Sequence, residues 1–342
     1  MNFNSLPFVA FFIVVYAAYL LFQKSFRIQN AILLIASMFF YGCWSVPFLG
    51  LLLATVIFDF FWALAIDRSK TAFARKLFLA ISVGSNLGVL GIFKYFNIGV
   101  AAFESLFHIN RPIAQIILPL GISFYTFHSM SYTIDVYRRT IRPTRNLVNF
   151  ILYVLFFPQL VAGPIARAHL LLLQFSVARK IKAEQINAGL WLILWGYFEK
   201  VVIADHLARL ANPVFDHVVN YRGLDLWIAA LAFTFQILCD FSGYSNIARG
   251  LSKCMGFELT LNFNLPYFAK NPKEFWNRWH ISLSSWFRDY VYIPLGGNRV
   301  PVKRHMINLF LTMFLAGLWH GGSWNFILWG CYHASALVLY HL

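Results

Sequence analysis

The feature that most constrains this chain is a succession of apolar windows, most of them long enough to cross a lipid bilayer as a helix. Hydrophobic residues make up 60% of the 342 residues and charged residues only 12%, against about 25% charged in a soluble domain. A soluble globule and a disordered chain are therefore excluded. We expect an all-α, polytopic membrane protein with spans at about 6–22, 28–46, 48–66, 77–97, 116–137, 147–162, 186–204, 226–247, 306–320 and 324–341.

The charged residues are mostly basic and lie between the apolar windows. Lys and Arg total 28 against 13 Asp and Glu, which gives a formal net charge of +15. Lys24 and Arg27 follow the first window, and Arg138 and Arg139 follow the fifth. Because the basic loops of membrane proteins face the cytoplasm, the pattern predicts a multi-pass membrane protein with these loops on the cytoplasmic side. With the basic charge explained in this way, no nucleic acid is expected as a partner.

Two regions interrupt the helical pattern. Residues 147–166 have basic residues on both sides and contain Pro158, Gly163 and Pro164, so we expect a re-entrant or broken hairpin there. Residues 256–304 mix prolines with basic and aromatic residues, which is typical of amphipathic helices at the cytoplasmic headgroup level. Irregular backbone at membrane depth is tolerated only where it is buried in protein or lines a cavity. The first region therefore indicates a functional cavity.

Two histidines lie in motifs that suit acid–base chemistry. His320 follows a long apolar helix in AGLWHGGSWNF, and the glycines after it would let a substrate or another backbone approach. A neutral imidazole at that depth can act as a general base, although a histidine packed against a backbone carbonyl would give the same local pattern. His280 lies in the basic segment NPKEFWNRWHISLSSWFRDY, where the alternative is an interfacial histidine in a cationic helix.

Other polar residues near the apolar windows allow structural explanations. His128 belongs to a stripe of Ser and Thr side chains that could line a pore, but interhelical hydrogen bonds are the interpretation we favour. Asp240 could orient a histidine or pair with Arg249, and a structural role is favoured. His206 and His217 are expected in an external loop. No nucleophile elbow, Walker loop, HExxH or dinucleotide fingerprint is present, so neither a metal nor a bound cofactor is expected.

Six stretches of the sequence occur together in one known family. They are LPLGISFYTFHSMSYTIDVYR (118–138), FFPQLVAGPIAR (156–167), FEKVVIADHLA (198–208), DFSGYSNIARGLSKCMGFEL (240–259), NPKEFWNRWHISLSSWFRDYVYIPLGG (271–297) and GLWHGGSWNFILWGCYH (317–333). By these stretches the sequence resembles the membrane-bound O-acyltransferase family, and it looks closest to the bacterial alginate O-acetyltransferase branch. The combination of RWHISLS with GLWHG is the most specific part of the resemblance.

The resemblance implies both a fold and an activity. The fold would be a single membrane domain over residues 1–342, with about ten transmembrane helices and re-entrant segments in a ring around a central funnel. Bacterial members continue further, so this chain either lacks C-terminal helices or ends with its last helix. The activity would be O-acyl transfer, with His320 as the catalytic histidine and His280 as the second site histidine.

The resemblance also implies the reactants. The donor would be acetyl-CoA, or an acyl carrier or another acyl thioester, with no bound cofactor. Lys270, Lys273, Arg278 and Arg288 are candidates to attract the phosphates of CoA, and anchoring to the membrane would explain the same residues. The acceptor would be an exported polysaccharide such as alginate, served by a periplasmic acetyltransferase partner.

Two other classes of protein are compatible with the residues. A transporter or flippase would also show broken helices and a polar path near the bilayer midplane. A scaffold of a polysaccharide export complex would need only the helical membrane domain. Neither class explains two histidines in these motifs, so acyl transfer with His320 as general base is the interpretation that we adopt.

Overall fold

The computed structural model describes residues 1, 3–107, 115–161 and 163–341, and every regular element within them is a helix. The all-α prediction is therefore confirmed. The α-helices are α1 (Leu6–Leu21), α2 (Phe26–Gly42), α3 (Val46–Arg68), α4 (Ala72–Phe107), α5 (Ile122–Tyr137), α6 (Leu147–Leu155), α7 (Phe157–Leu160), α8 (Ala168–Phe175), α9 (Ala183–Tyr197), α10 (Asp205–Asp216), α11 (Leu224–Cys254), α12 (Pro272–Arg278), α13 (Ile281–Phe287), α14 (Val302–His320) and α15 (Trp324–His341).

Among the described residues, four helical stretches are long and apolar enough to cross a membrane. They are α3, α4, the continuous stretch Ala183–Asp216, and α11, while α1 and α2 are shorter apolar helices. These stretches support a membrane protein, and the total of about ten spans, the ring and the funnel stay predictions. Helix α4 has 36 residues, or about 54 Å at 1.5 Å per residue, and is longer than the predicted window 77–97.

Local sequence explains where several helices begin. Ser5 caps α1 by accepting a hydrogen bond from the backbone N–H of Phe8 at 3.4 Å. Pro47 lies in the first turn of α3, where a backbone N–H is not needed, and α2 ends at Gly42, so two helices meet near the predicted boundary between windows 28–46 and 48–66. Gly121 has a φ of 71° and precedes α5, which therefore begins later than the predicted window 116–137.

The prediction that His206 lies in an external loop is wrong. The chain stays helical from α9 through a π-helical segment, Phe198–Ala204, into α10, and only His217 lies beyond the end of that helix. A π-helical segment keeps backbone hydrogen bonding while it adds a residue to the turn, so the helix continues without a break. The charged residues of 205–216 and Pro213 favour a loop only when the sequence is taken alone.

The interruption predicted within residues 147–166 is present. Helix α6 ends at Leu155, α7 has only four residues, and residue 162 lies outside the described part of the chain. A Cβ on Gly163 would lie 2.2 Å from the Cα of Gln159, so glycine is required for this return of the chain. The re-entrant placement of the segment in a membrane stays a prediction.

The second irregular region, 256–304, contains only short helices before α14 begins. Asn271 caps α12, because its Oδ1 accepts from the backbone N–H of Glu274 at 2.8 Å, and Pro272 follows at the first helical position. Glu274 pairs with Arg278 four residues later at 2.7 Å. The cytoplasmic headgroup position of this region stays a prediction.

The helices form two compact units. Unit A comprises Met1–Leu49 and Val148–Leu261, and unit B comprises Gly50–Leu147 and Asn262–Leu342. In unit A, α9 and α11 come into backbone contact, because a Cβ on Gly196 would lie 2.6 Å from the carbonyl oxygen of Gly243. In unit B, α14 and α15 do the same at Gly317 and Gly330. A single membrane domain over 1–342 stays a prediction.

Buried polar side chains join α3, α4 and α5 in unit B. Asp59 is fully buried and accepts hydrogen bonds from the Ser82 hydroxyl and the Asn86 amide, both at 2.7 Å. The Ser82 hydroxyl also lies 3.1 Å from that of Thr133 in α5. The polar stripe around His128 therefore makes interhelical hydrogen bonds, which is the alternative favoured from the sequence.

The Gly317 contact predicts that Gly317→Ala destabilises the protein. A Cβ at this position would lie 2.5 Å from the carbonyl oxygen of Phe326 and 2.8 Å from the Cα of Gly330, so the two helices must separate. We expect a loss of about 1–3 kcal/mol in the free energy of unfolding. The measurement is thermal unfolding of the detergent-solubilised protein.

Gly84→Ala is the matched control, because a Cβ at Gly84 in α4 meets no atom within 4 Å. Alanine is favoured over glycine in a helix by about 1 kcal/mol, so this variant should unfold at the same or a higher temperature. Equal unfolding temperatures for Gly317→Ala and the unmodified protein would contradict the close contact.

Candidate active site

His320 is the last residue of α14, and tightly packed glycines surround it in sequence. Gly317, one turn earlier, is the contact with α15. A Cβ on Gly321 would lie 2.5 Å from the ring of Phe326, and one on Gly322 would lie 2.7 Å from the ring of Tyr95. The glycines of the GLWHGG motif therefore let α15 and α4 pack closely around the end of the helix that carries the imidazole.

The His320 ring lies among aromatic rings. Its centroid is 4.9 Å from that of Trp329, which meets it edge-on, and 5.9 Å from that of Phe326, which stacks on it. The side chain is half-buried, and no hydrogen bond joins its ring nitrogens to any residue that the structure describes. The imidazole is therefore available to a bound molecule.

His280 is held by its backbone and by its burial. It has a φ of 42°, in the left-handed region, and precedes α13, whose first turn begins with its carbonyl accepting from Ser284 at 2.9 Å. Asn262 fixes this turn, because its side-chain oxygen accepts from the hydroxyl of Ser282 at 2.7 Å and its carbonyl accepts from the N–H of Ile281. Only 2% of His280 is exposed.

Burial also determines the charge of His280. It lowers the pKa of the imidazole well below its ordinary value, and the nearby His320 acts in the same direction. His280 is therefore neutral at cellular pH. A neutral imidazole carries one N–H donor and one acceptor nitrogen, so it can donate a hydrogen bond to a carbonyl oxygen.

One cavity of about 520 Å³ in unit B is lined by both histidines. It follows one face of α14, from His305 through Leu309, Thr312 and Ala316 to His320, which is about 22 Å along the helix axis. Two cations, Lys273 and Arg288, also line the cavity. Lys273 is near His341, whose ring lies 5.4 Å from that of His305 at the start of α14. The cavity thus joins basic residues to the imidazole of His320.

Only some of the four basic residues that are candidates for phosphate binding lie at the cavity. Lys273 and Arg288 line the cavity, whereas Lys270 and Arg278 do not. Arg278 is engaged by Glu274 at 2.7 Å, and Arg288 lies 2.8 Å from the carboxylate of its neighbour, Asp289. Lys273 is therefore the lining cation with the fewest competing contacts.

Two residues beside the histidines were missed in the sequence. The ammonium of Lys94 lies 5.1 Å from the ring centroid of Trp319 and donates to the hydroxyl of Ser123 at 3.4 Å. Trp319 contacts His320 with ring centroids 4.9 Å apart. A lysine within an apolar span is a functional candidate by default, so the signal for Lys94 was present.

The remaining candidates have other partners. Asp240 forms an ion pair with Lys200 in unit A, with 2.5 Å between carboxylate and ammonium. The two partners considered from the sequence, a histidine and Arg249, are therefore replaced by Lys200. His128 is buried within α5 and does not line the cavity. Within the described ranges, no group of three His, Cys, Asp or Glu side chains could hold a metal ion.

Comparison with known proteins identifies relatives along nearly the whole chain. It is 43% identical over 345 residues to a probable alginate O-acetylase of Azotobacter vinelandii, covering 99% of this chain and 68% of the relative. The counterpart in Pseudomonas aeruginosa is also 43% identical, with 99% and 66% covered. A peptidoglycan O-acetyltransferase of Helicobacter pylori is 35% identical over 331 residues, with 89% and 63% covered.

The chain spans about two thirds of the length of these curated relatives. The model of the membrane-bound O-acyltransferase family matches residues 115–340, which include both cavity histidines. The family resemblance and the enzyme class that it implied, O-acyltransferase, are confirmed by these matches. The chain belongs to the membrane-bound O-acyltransferase family.

Proposed function

We propose that the chain transfers an acetyl group from a cytosolic thioester, acetyl-CoA, across the inner membrane towards hydroxyls of an exported polysaccharide such as alginate. The names of the relatives support acetyl transfer to a polysaccharide. The observation that carries the proposal is the cavity that joins basic residues, His280 and His320 in unit B. A donor with a phosphorylated head and a reactive end needs such a path.

His320 acts as the general base. Its neutral imidazole removes the proton from the acceptor hydroxyl as the oxygen attacks the thioester carbonyl carbon. The C–O bond forms, the C–S bond breaks, and the thiolate leaves with the proton that the imidazolium returns. The half-buried position and the open ring nitrogens of His320 support this assignment.

His280 polarises the thioester carbonyl. Its neutral ring donates one N–H to the carbonyl oxygen, where negative charge develops in the tetrahedral intermediate. The burial of His280 strengthens this hydrogen bond, because little water is present to compete with it. The left-handed backbone at His280 and the support from Asn262 reduce the ring's freedom before substrate binds.

The basic residues of the cavity receive the phosphates of the donor. Lys273 and Arg288 attract them, and the long pantetheine arm lies along α14 with its thioester at His320. The basic loops predict that this part of the cavity faces the cytosol, so that donor enters there and the acetyl group leaves on the other side. A periplasmic acetyltransferase partner that presents the polysaccharide hydroxyl on that side completes the pathway.

We expect His320→Ala to abolish acetylation. Loss of a general base costs about 10²- to 10⁴-fold in rate, which would bring the ester content of the polysaccharide to background. The measurement is polysaccharide O-acetyl content in cells with matched amounts of the protein in the membrane.

His217→Ala is the matched control, because His217 is an exposed histidine that does not line the cavity. It should leave the O-acetyl content unchanged. Full acetylation with His320→Ala would remove His320 from the mechanism, and full acetylation with both cavity histidines replaced would favour a scaffold. Movement of substrate across the membrane without acyl turnover would favour a transporter.

Lys273→Met should weaken donor binding without changing the chemical step. A hydrogen bond to a charged group contributes about 1.5–3 kcal/mol, so we expect the KM for acetyl-CoA to rise by about tenfold or more. The kcat should stay within about twofold of that of the unmodified protein, because the histidines remain in place. The measurement is transfer of radiolabelled acetyl groups by membranes that contain each variant.

Lys270→Met provides the comparison, because Lys270 is a basic residue of the same segment that does not line the cavity. Its KM should equal that of the unmodified protein. If both lysine variants raise KM equally, a general attraction of acetyl-CoA to the basic surface would explain the effect, and the assignment of Lys273 would be wrong.

A further inference from the structure

The ring of Trp319 lies beside both site histidines. Its centroid lies 4.9 Å from that of His320 and 6.5 Å from that of His280. The two imidazoles belong to different elements, since His320 ends α14 and His280 precedes α13. A side chain that packs against both of them sets their separation.

The remaining faces of the Trp319 ring are also occupied. The ring of Phe127 stacks against it at 5.4 Å, and the ring of Phe124 meets it edge-on at 6.0 Å. Phe127 is itself fixed from its other side by Trp286, which stacks on it at 3.8 Å and donates its indole N–H to the Phe127 carbonyl. These contacts restrict the orientation of the Trp319 indole.

Helix α4 holds two consecutive residues of α14. The ammonium of Lys94 lies 5.1 Å from the Trp319 ring centroid, and the next residue, Tyr95, donates its hydroxyl to the carbonyl of Leu318. A cation over an indole face is attracted by the ring quadrupole, and the attraction grows where water is excluded. Lys94 therefore holds the ring and Tyr95 holds the backbone beside it.

We propose that Trp319 is a positioning residue for acyl transfer: it fixes the separation of the His280 and His320 imidazoles, and Lys94 fixes Trp319 in turn. The inference rests on the proposed function. Neither Trp319 nor Lys94 lines the cavity, so both act through the histidines. The base and the carbonyl-polarising group must meet the same thioester, and a misplacement of about 1 Å can reduce the rate by about 10²-fold.

The experiment measures kcat and the KM for acetyl-CoA in membranes, with radiolabelled acetyl groups and normalised protein amounts. We expect Trp319→Leu to lower kcat by about 10²-fold, while the KM stays within about twofold because the basic residues of the cavity are unchanged. Trp319→Phe keeps an aromatic ring and should retain most of kcat. Lys94→Met should lower kcat, and Lys94→Arg should restore it, because a guanidinium also stacks on an indole.

Trp324→Leu is the control for loss of an indole, because Trp324 is 77% exposed on α15 and does not line the cavity. It should keep the kcat of the unmodified protein. If Trp319→Leu does not reach the membrane, Lys94→Met and Lys94→Arg decide the question, since Lys94 is only partly buried.

The outcomes separate this inference from the proposed function. Unchanged kcat in Trp319→Leu or Lys94→Met, with His320→Ala inactive, would overturn the positioning role and leave the proposed function intact. A rise in donor KM at constant kcat would also overturn it, because that result belongs to a residue that shapes the donor path. Full transfer with His320→Ala would overturn both.

Discussion

Backbone that is buried away from water must obtain its hydrogen bonds from the protein itself, and an irregular segment has no helix ladder to supply them. Unit B meets this requirement around the two histidines with side chains that seal the backbone. Gly322 packs against Tyr95, and the Tyr95 hydroxyl donates a hydrogen bond to the carbonyl of Leu318 near the end of α14. At His280, Asn262 stabilises the turn by accepting hydrogen bonds from Ile281 and Ser282. The cavity and its two imidazoles depend on these closed turns.

The same requirement explains the polar residues away from the cavity. Lys200 in unit A is partly buried and lies against two carboxylates, those of Asp205 and Asp240. Glu199 accepts hydrogen bonds from Ser242 and Asn246. Removing Lys200 would leave the carboxylates of Asp205 and Asp240 without the cation that they share. These residues belong to family motifs, and their contacts give them a structural reason for being there.

The sequence predicts the structure well where a residue type or pattern has a single structural meaning. Long apolar windows predicted helices, Pro47 marked a helix start, and two histidine motifs predicted residues that the structure brings to one cavity. It was a poor guide where the explanation depends on distant residues. The four basic residues of 270–288 look alike in sequence, and only folding shows that Lys273 and Arg288 line the cavity while Arg278 is paired.

Other differences have the same cause. The partner of Asp240 is 40 positions away in sequence, so no local spacing could identify Lys200. The π-helical segment at Phe198–Ala204 has no simple sequence signature, so the sequence alone predicts a loop where α10 lies. Lys94 could have been found, because a lone cation in an apolar window is rarely without purpose. Its partner Trp319 lies in another helix and could not.

The positive φ of His280 affects which residues fit at that position without strain. Residues with a Cβ adopt the left-handed region at a cost, which is lowest for asparagine, aspartate and histidine. This chain also accepts that cost at Arg139 and Leu265. Of the three low-cost residues, histidine and asparagine offer a neutral N–H donor, so one can replace the other without any change in the path of the chain. The backbone thus favours a small set of residues at this turn, and within that set an imidazole or a carboxamide also supplies the N–H that the proposed chemistry uses.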